Sequence, residues 1–60
     1  MIVEDLYRVL ENDEDTLYIM DKNGETLFLG RAFIIPLDLM DKNIYSIYAV
    51  DNVITIYIED

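Results

Sequence analysis

Val3, Leu6, Tyr7 and Leu10 recur at helical spacing, while Glu4, Asp5, Arg8 and Glu11 take the opposite side. The pattern predicts one short amphipathic helix over about residues 2–11. Two acids fall in its first turn, where negative charge suits the helix dipole. Asn12-Asp13-Glu14-Asp15 then breaks the period, because Asn and Asp side chains compete with the helical backbone for hydrogen bonds. A solvated acidic loop is expected there.

Beyond the loop the period changes to that of strands. Thr16–Met20 and Glu25–Leu29 flank Asp21-Lys22-Asn23-Gly24, and the Asn-Gly pair announces a hairpin. A two-residue loop at Asn23-Gly24 would set Ile19 opposite Phe28 and Leu17 opposite Gly30. A three-residue loop, Lys22-Asn23-Gly24, sets Ile19 opposite Leu27 and Leu17 opposite Leu29. The second choice is preferred. It sorts the aliphatics onto one face, with Tyr18 and Phe28 on the other, and it uses Gly24 as the left-handed residue closing a type I turn. Ile44–Val50 and Val53–Ile58 are rich in Ile, Val and Tyr and carry the strongest strand signal. A two-residue turn at Asp51-Asn52 pairs Ala49 with Ile54, Ile47 with Ile56 and Tyr45 with Ile58. Between the hairpins, Gly30 marks a bulge or a strand end. Ala32–Ile35 is apolar without period, and Pro36 suits the first position of a short helical turn through Leu37, Leu39 and Met40.

The expected architecture is α+β: one domain over residues 1–60, with an N-terminal helix packed on a four-stranded antiparallel sheet made of two hairpins. Leu17, Ile19, Leu27, Leu29, Ile47, Ile54, Ile56 and Ile58 would meet Val3, Leu6 and Leu10 in the core. Tyr18, Met20, Phe28, Ile44, Tyr48, Val50, Val53 and Tyr57 would form a second face, too apolar for a wetted surface. Either residues 30–40 fold over it, or a second copy of the chain does. A chain of 60 residues without Cys or His has neither disulfides nor Cys/His zinc sites to support a small core. Homo-oligomerisation through Tyr18, Phe28, Tyr48 and Tyr57, or through a sheet edge, is the preferred outcome.

Composition narrows the chemistry. Without His and Cys, the commonest general base and the strongest nucleophile are missing, and Ser46 is the only serine. With Gly24 and Gly30 the only glycines, no glycine-rich phosphate loop exists. Glu11, Asp13, Glu14 and Asp15 do not match an EF-hand loop. No enzyme, cofactor or metal site is expected. The chain carries 13 acids against 4 bases, a net charge of −9, which disfavours direct contact with nucleic acid. No apolar run reaches the ~18 residues of a membrane span, and the first residues do not read as a signal peptide. A cytoplasmic location is expected. The acids gather at Glu11–Asp15, Asp38–Asp41, Asp51 and Glu59–Asp60. They serve solubility, or they steer the chain to a basic protein surface. For the steering role the candidates are Glu11, Asp13, Glu14 and Asp15.

Four stretches carry a likeness to known proteins: the opening Val3-Glu4-Asp5-Leu6-Tyr7-Arg8-Val9-Leu10, the Asp21-Lys22-Asn23-Gly24-Glu25 turn, and the closing Ile44–Tyr48 and Val53–Ile58 strands. Their layout resembles very small acidic proteins of phages and prophages, some of which are anti-defence proteins of the anti-CRISPR or Hachiman-inhibitor type. The resemblance implies a non-enzymatic inhibitor that binds a bacterial immunity protein inside the infected host. It carries over no functional residues. A small phage structural or regulatory accessory protein is the alternative, and ligand sequestration at a subunit seam is a third class.

Overall fold

The computed structural model describes residues 1–59; Asp60, one of the terminal acids, lies outside them. The chain folds as helix α1 (Val3–Val9), strands β1 (Thr16–Met20) and β2 (Thr26–Arg31), two short 3-10 turns at Ala32–Ile34 and Leu37–Leu39, and strands β3 (Asn43–Val50) and β4 (Val53–Glu59). Pro36 directly precedes the second turn, as its fixed φ and missing N–H favour. The helix is held at its start. The Ile2 N–H donates to the Asp5 carboxylate, while the Val3 and Glu4 N–H groups donate to the Lys42 and Met40 carbonyls. Donors that a helix leaves unpaired at its N-terminus are thereby satisfied by the end of the connector.

The sheet differs from the expected one. Its order is β2-β1-β4-β3, with antiparallel pairs at both flanks and a parallel pair, β1 with β4, in the middle. Both hairpins form as expected, but they join by their inner strands in the same direction. The connector, residues 32–42, fixes this. It leaves β2 at one edge and delivers the chain to β3 at the other edge and the opposite strand end. A tight antiparallel β2–β3 link would have needed only a few residues.

Each hairpin turn has the expected conformation. Asp51 and Asn52 both take positive φ, +51° and +66°, as a two-residue primed turn requires. In the first hairpin Gly24 has φ +86° and its N–H donates to the Asp21 carbonyl, while the Asp21 N–H donates to the Glu25 carbonyl. The Asp21 carboxylate accepts the Asn23 and Glu25 N–H groups. The loop is therefore the three-residue Lys22-Asn23-Gly24. A Cβ built on Gly24 meets nothing within 4 Å, so substitution there acts through backbone strain alone. Gly24→Ala is expected to cost about 1–2 kcal/mol, read as a lower urea midpoint at unchanged slope.

The registers depart from expectation farther from the turns, where each hairpin carries a bulge. Met20 pairs with Thr26, as a three-residue loop dictates, but Ile19 then pairs with Phe28 and Leu17 with Gly30. Leu27 is the extra residue. A bulge sets its side chain and its neighbour's toward the same side, and both Leu27 and Phe28 pack against the core. Leu29 moves to the other face and is 61% exposed. A Cβ on Gly30 would stand 3.2 Å from the Phe28 ring, so the missing side chain makes room for that ring. In the second hairpin Ile47–Ile56 and Ala49–Ile54 hold, but Tyr45 is bulged out and Ile44, not Tyr45, faces Ile58.

The core is Val3, Leu17, Ile19, Ala32, Ile35, Leu39, Ile56 and Ile58, with Leu6, Tyr7, Leu10, Leu27, Phe28, Met40, Ile44 and Ile54 packed against it. Ala32, Ile35 and Leu39 belong to the connector. That segment therefore lies on the helix side of the sheet and does not cover the opposite face. Ile47, expected in the core, remains 42% exposed on the outer strand.

Candidate functional site: an open aromatic sheet face

Register places the open face residue by residue. One row crosses all four strands as Leu29, Tyr18, Thr55 and Tyr48. Beside it run Thr26, Met20, Tyr57 and Ser46, with the bulged Tyr45 adjacent. Thr55, on an inner strand between Tyr18 and Tyr48, is buried. The Tyr45 and Tyr57 ring centroids are 6.0 Å apart and those of Tyr48 and Tyr57 5.9 Å, both pairs tilted. These separations are those of favourable aromatic pairs. The Tyr48 and Tyr57 hydroxyls share a 3.0 Å hydrogen bond, and Tyr18 shares another with Thr26. Tyr45 and Tyr48 remain about half exposed, as does Val50.

Of the four residues expected at an oligomer interface, Tyr18, Tyr48 and Tyr57 share this face, along with Met20, Val50 and Val53. Phe28 does not, because the bulge at Leu27 turns it toward the core opposite Ile19. Ile44 likewise leaves the face for the core. Simple alternation sets Leu29 in the core and Tyr45 opposite Ile58; both belong to the open face instead. No local sign marks the failure of alternation there, since equally apolar runs such as Leu17–Met20 keep a regular register against β4.

The hydroxyl bond with Tyr48 holds the proton on Tyr57, and partial desolvation and the neighbouring phenols act in the same direction, so its pKa is raised above the usual 10.0. For an acid raised in the folded state, the stabilising contribution is present below the unfolded value and is lost as pH rises through the folded one. Tyr57 is expected to ionise above the ordinary phenol range in an absorbance titration of tyrosinate. Tyr48→Phe should return it toward the ordinary value. An unchanged profile in Tyr48→Phe would show that the hydroxyl bond is absent in solution.

The acidic loop is built differently from a free solvated segment. The Glu14 N–H donates to the Asn12 side chain and the Asp15 N–H to the Asn12 carbonyl. The carbonyls of Asp13 and Asp15 accept the Phe33 and Ala32 N–H groups, and the Arg31 guanidinium donates to the Glu14 carbonyl at 2.7 Å. Backbone groups thus dock the loop on the first connector turn. The Glu11, Asp13 and Glu14 side chains face solvent, with Asp15 half-buried. Among the described residues, no three acidic side chains converge as a metal site would need.

The strand directions sort the charge. Glu11, Asp13, Glu14, Asp15 and Asp51 lie at the sheet end where β1 starts and β3 finishes; Asp21, Glu25, Asp41 and Glu59 lie at the other. Arg31 joins the first group and Lys22 and Lys42 the second, so acids outnumber bases at each end, and Tyr18, Tyr45, Tyr48 and Tyr57 occupy the uncharged field between. No family model, curated protein or solved structure matches the chain. No helix among the described residues is long and apolar enough to cross a membrane.

Proposed function

We propose that this chain is a non-enzymatic, protein-binding inhibitor of the phage anti-defence kind, directed at a bacterial immunity protein with a basic surface. One observation carries the binding role: an aromatic face that the helix and the connector both leave open, bordered by acids at each strand end. Binding energy in protein interfaces concentrates in central aromatic anchors, and a charged rim governs encounter. The open tyrosines supply anchors of that type, and Glu11, Asp13, Glu14 and Asp15 supply part of the rim. The choice of an immunity protein as target rests on the likeness of layout to small acidic phage proteins. The same reading makes the chain a homo-oligomer, acting in the host cytoplasm without nucleic acid or cofactor.

The test is phage challenge of bacteria carrying single defence systems, with and without expression of the chain. Restored plating against one system, and one-to-one co-purification with a basic component of it, is the expected result. Plating that stays suppressed in every defended strain, with the chain recovered on a phage structural protein, would replace this reading by that of an assembly factor.

A further inference from the structure

Strand β3 forms one edge of the sheet. Between Ile44 and Val50 it carries no charged side chain, although the chain as a whole is 28% charged. Exposed strand edges are commonly protected by charge, a bulge, brevity or a cover. The opposite edge, β2, is short, bulged at Leu27, preceded by Glu25 and closed by Arg31. On β3, the bulge at Tyr45 and the cover are both confined to the first residues, which leaves Ser46–Val50 regular and bare. Ile2 bridges Asn43 in antiparallel fashion and the Ile44 N–H donates to the Met1 carbonyl. This edge therefore already accepts an antiparallel strand, and the acceptance stops at Ile44.

Hydrogen-bond alternation shows what is left over. The two-residue turn makes Val50–Val53 a bonded pair, so Tyr48–Thr55 and Ser46–Tyr57 bond as well. Ile47 and Ala49 then aim their N–H and C=O groups away from β4, into open solvent. Ile47, Tyr48 and Val50 expose 42%, 47% and 57% of their surface beside those groups.

We propose that β3 pairs antiparallel with β3 of a second copy about a two-fold axis at Tyr48, making one continuous eight-stranded sheet. In this register Ile47 faces Ala49 of the partner subunit, and Ala49 faces Ile47 of the partner subunit. All four outward-pointing residues then exchange hydrogen bonds. Ser46 faces Val50 of the partner subunit, and Tyr48 faces Tyr48 of the partner subunit on the aromatic side. Pairing spans residues 46–50 and ends where Met1–Ile2 begin.

Charge selects a second copy as the occupant. A basic partner would gain nothing from a strip without acids, whereas two chains of net charge −9 can meet only where neither carries charge. The Asp51 residues of the two copies would stand six residues apart along the strands, about 20 Å at ~3.3 Å per residue. Each comes level with Tyr45 of the partner subunit, so the partner's Glu59 and the partner's Asp41 lie nearer, at about 12 Å, still beyond the ~8–10 Å screening length, with the partner's Lys42 between them in sequence. Pairing also sets the two tyrosine clusters side by side, which doubles the aromatic field without covering it. The interface does not depend on the inhibitor role and is tested apart from it.

The chain has no cysteine of its own, so single cysteines report directly. Light scattering should give twice the 7.1 kDa chain mass. On mild oxidation, Tyr48→Cys should cross-link copies at least tenfold faster than Val50→Cys or Tyr18→Cys, because only position 48 faces itself across the axis at disulfide distance. Ala49→Pro removes an outward N–H and no bond to β4, so it should remain folded by circular dichroism and become a monomer. If that variant does not fold, the cysteine series still decides. A wild-type mass of 7.1 kDa at all concentrations, or fastest cross-linking at Tyr18→Cys through the open face, overturns the proposal.

Discussion

Replacing Ile56 by Ala is expected to remove most of the stability of the fold, about 3–4 kcal/mol. Ile56 is fully buried on inner strand β4, beside Ile19 in the parallel pair and opposite Ile47 in the antiparallel one. Truncation there removes buried methyl groups and leaves a cavity that regular strand pairing on both sides cannot close. Chains of this length hold only ~3–9 kcal/mol in total. Leu29→Ala, by contrast, should change stability by no more than about 0.5 kcal/mol, because Leu29 lies on the open face. Urea unfolding at one fixed protein concentration measures both. Simple alternation from the turn puts Leu29 in the core, so equal losses in the two variants would show that the bulge at Leu27 does not form.

Changing Glu11, Asp13, Glu14 and Asp15 together to Lys is expected to slow association with a basic partner by at least tenfold at low salt, with the fold retained. The four changes shift the net charge by two units each, from −9 to −1. Steering by such charge changes association rates by about 10–10³-fold and is screened by salt. The fold should survive because the loop is docked through carbonyls at Asp13, Glu14 and Asp15, and none of these bonds involves the carboxylates. Association rate against ionic strength checks this. A wild-type rate that is flat from low to high salt would assign the acids to solubility alone.

Much of the local structure was legible from residue chemistry. The helix period, the left-handed Gly24, the primed turn at Asp51-Asn52 and the turn after Pro36 each follow from a side chain's own conformational preference, and each is present. The helix ends at Val9, earlier than the apolar period extends, because Leu10 takes an extended conformation. What the sequence concealed is non-local. A bulge adds one residue to one strand and reverses the facing of everything beyond it, so Phe28 and Leu29 exchanged faces, as did Ile44 and Tyr45. The parallel β1–β4 pair is set by the path of residues 32–42 across the core. Their apolar residues have no period that would reveal that path. For the site, the tyrosines on β1, β3 and β4 were readable from composition and alternation, except Tyr45. Their openness depends on Ala32, Ile35 and Leu39 packing in the core, which leaves no connector residue to cover them and which no local pattern encodes.

The central claim is that the open aromatic face is the surface that partners meet. Backbone and tyrosine-ring resonances of the labelled chain, followed by NMR as the co-purifying host protein is added, test it most directly. The account predicts that Tyr18, Leu29, Tyr45, Tyr48 and Tyr57 shift or broaden first, while Leu6, Leu10 and residues 32–39 on the covered side stay in place. Perturbation confined to α1 and the connector, with the tyrosine field unmoved, would contradict it.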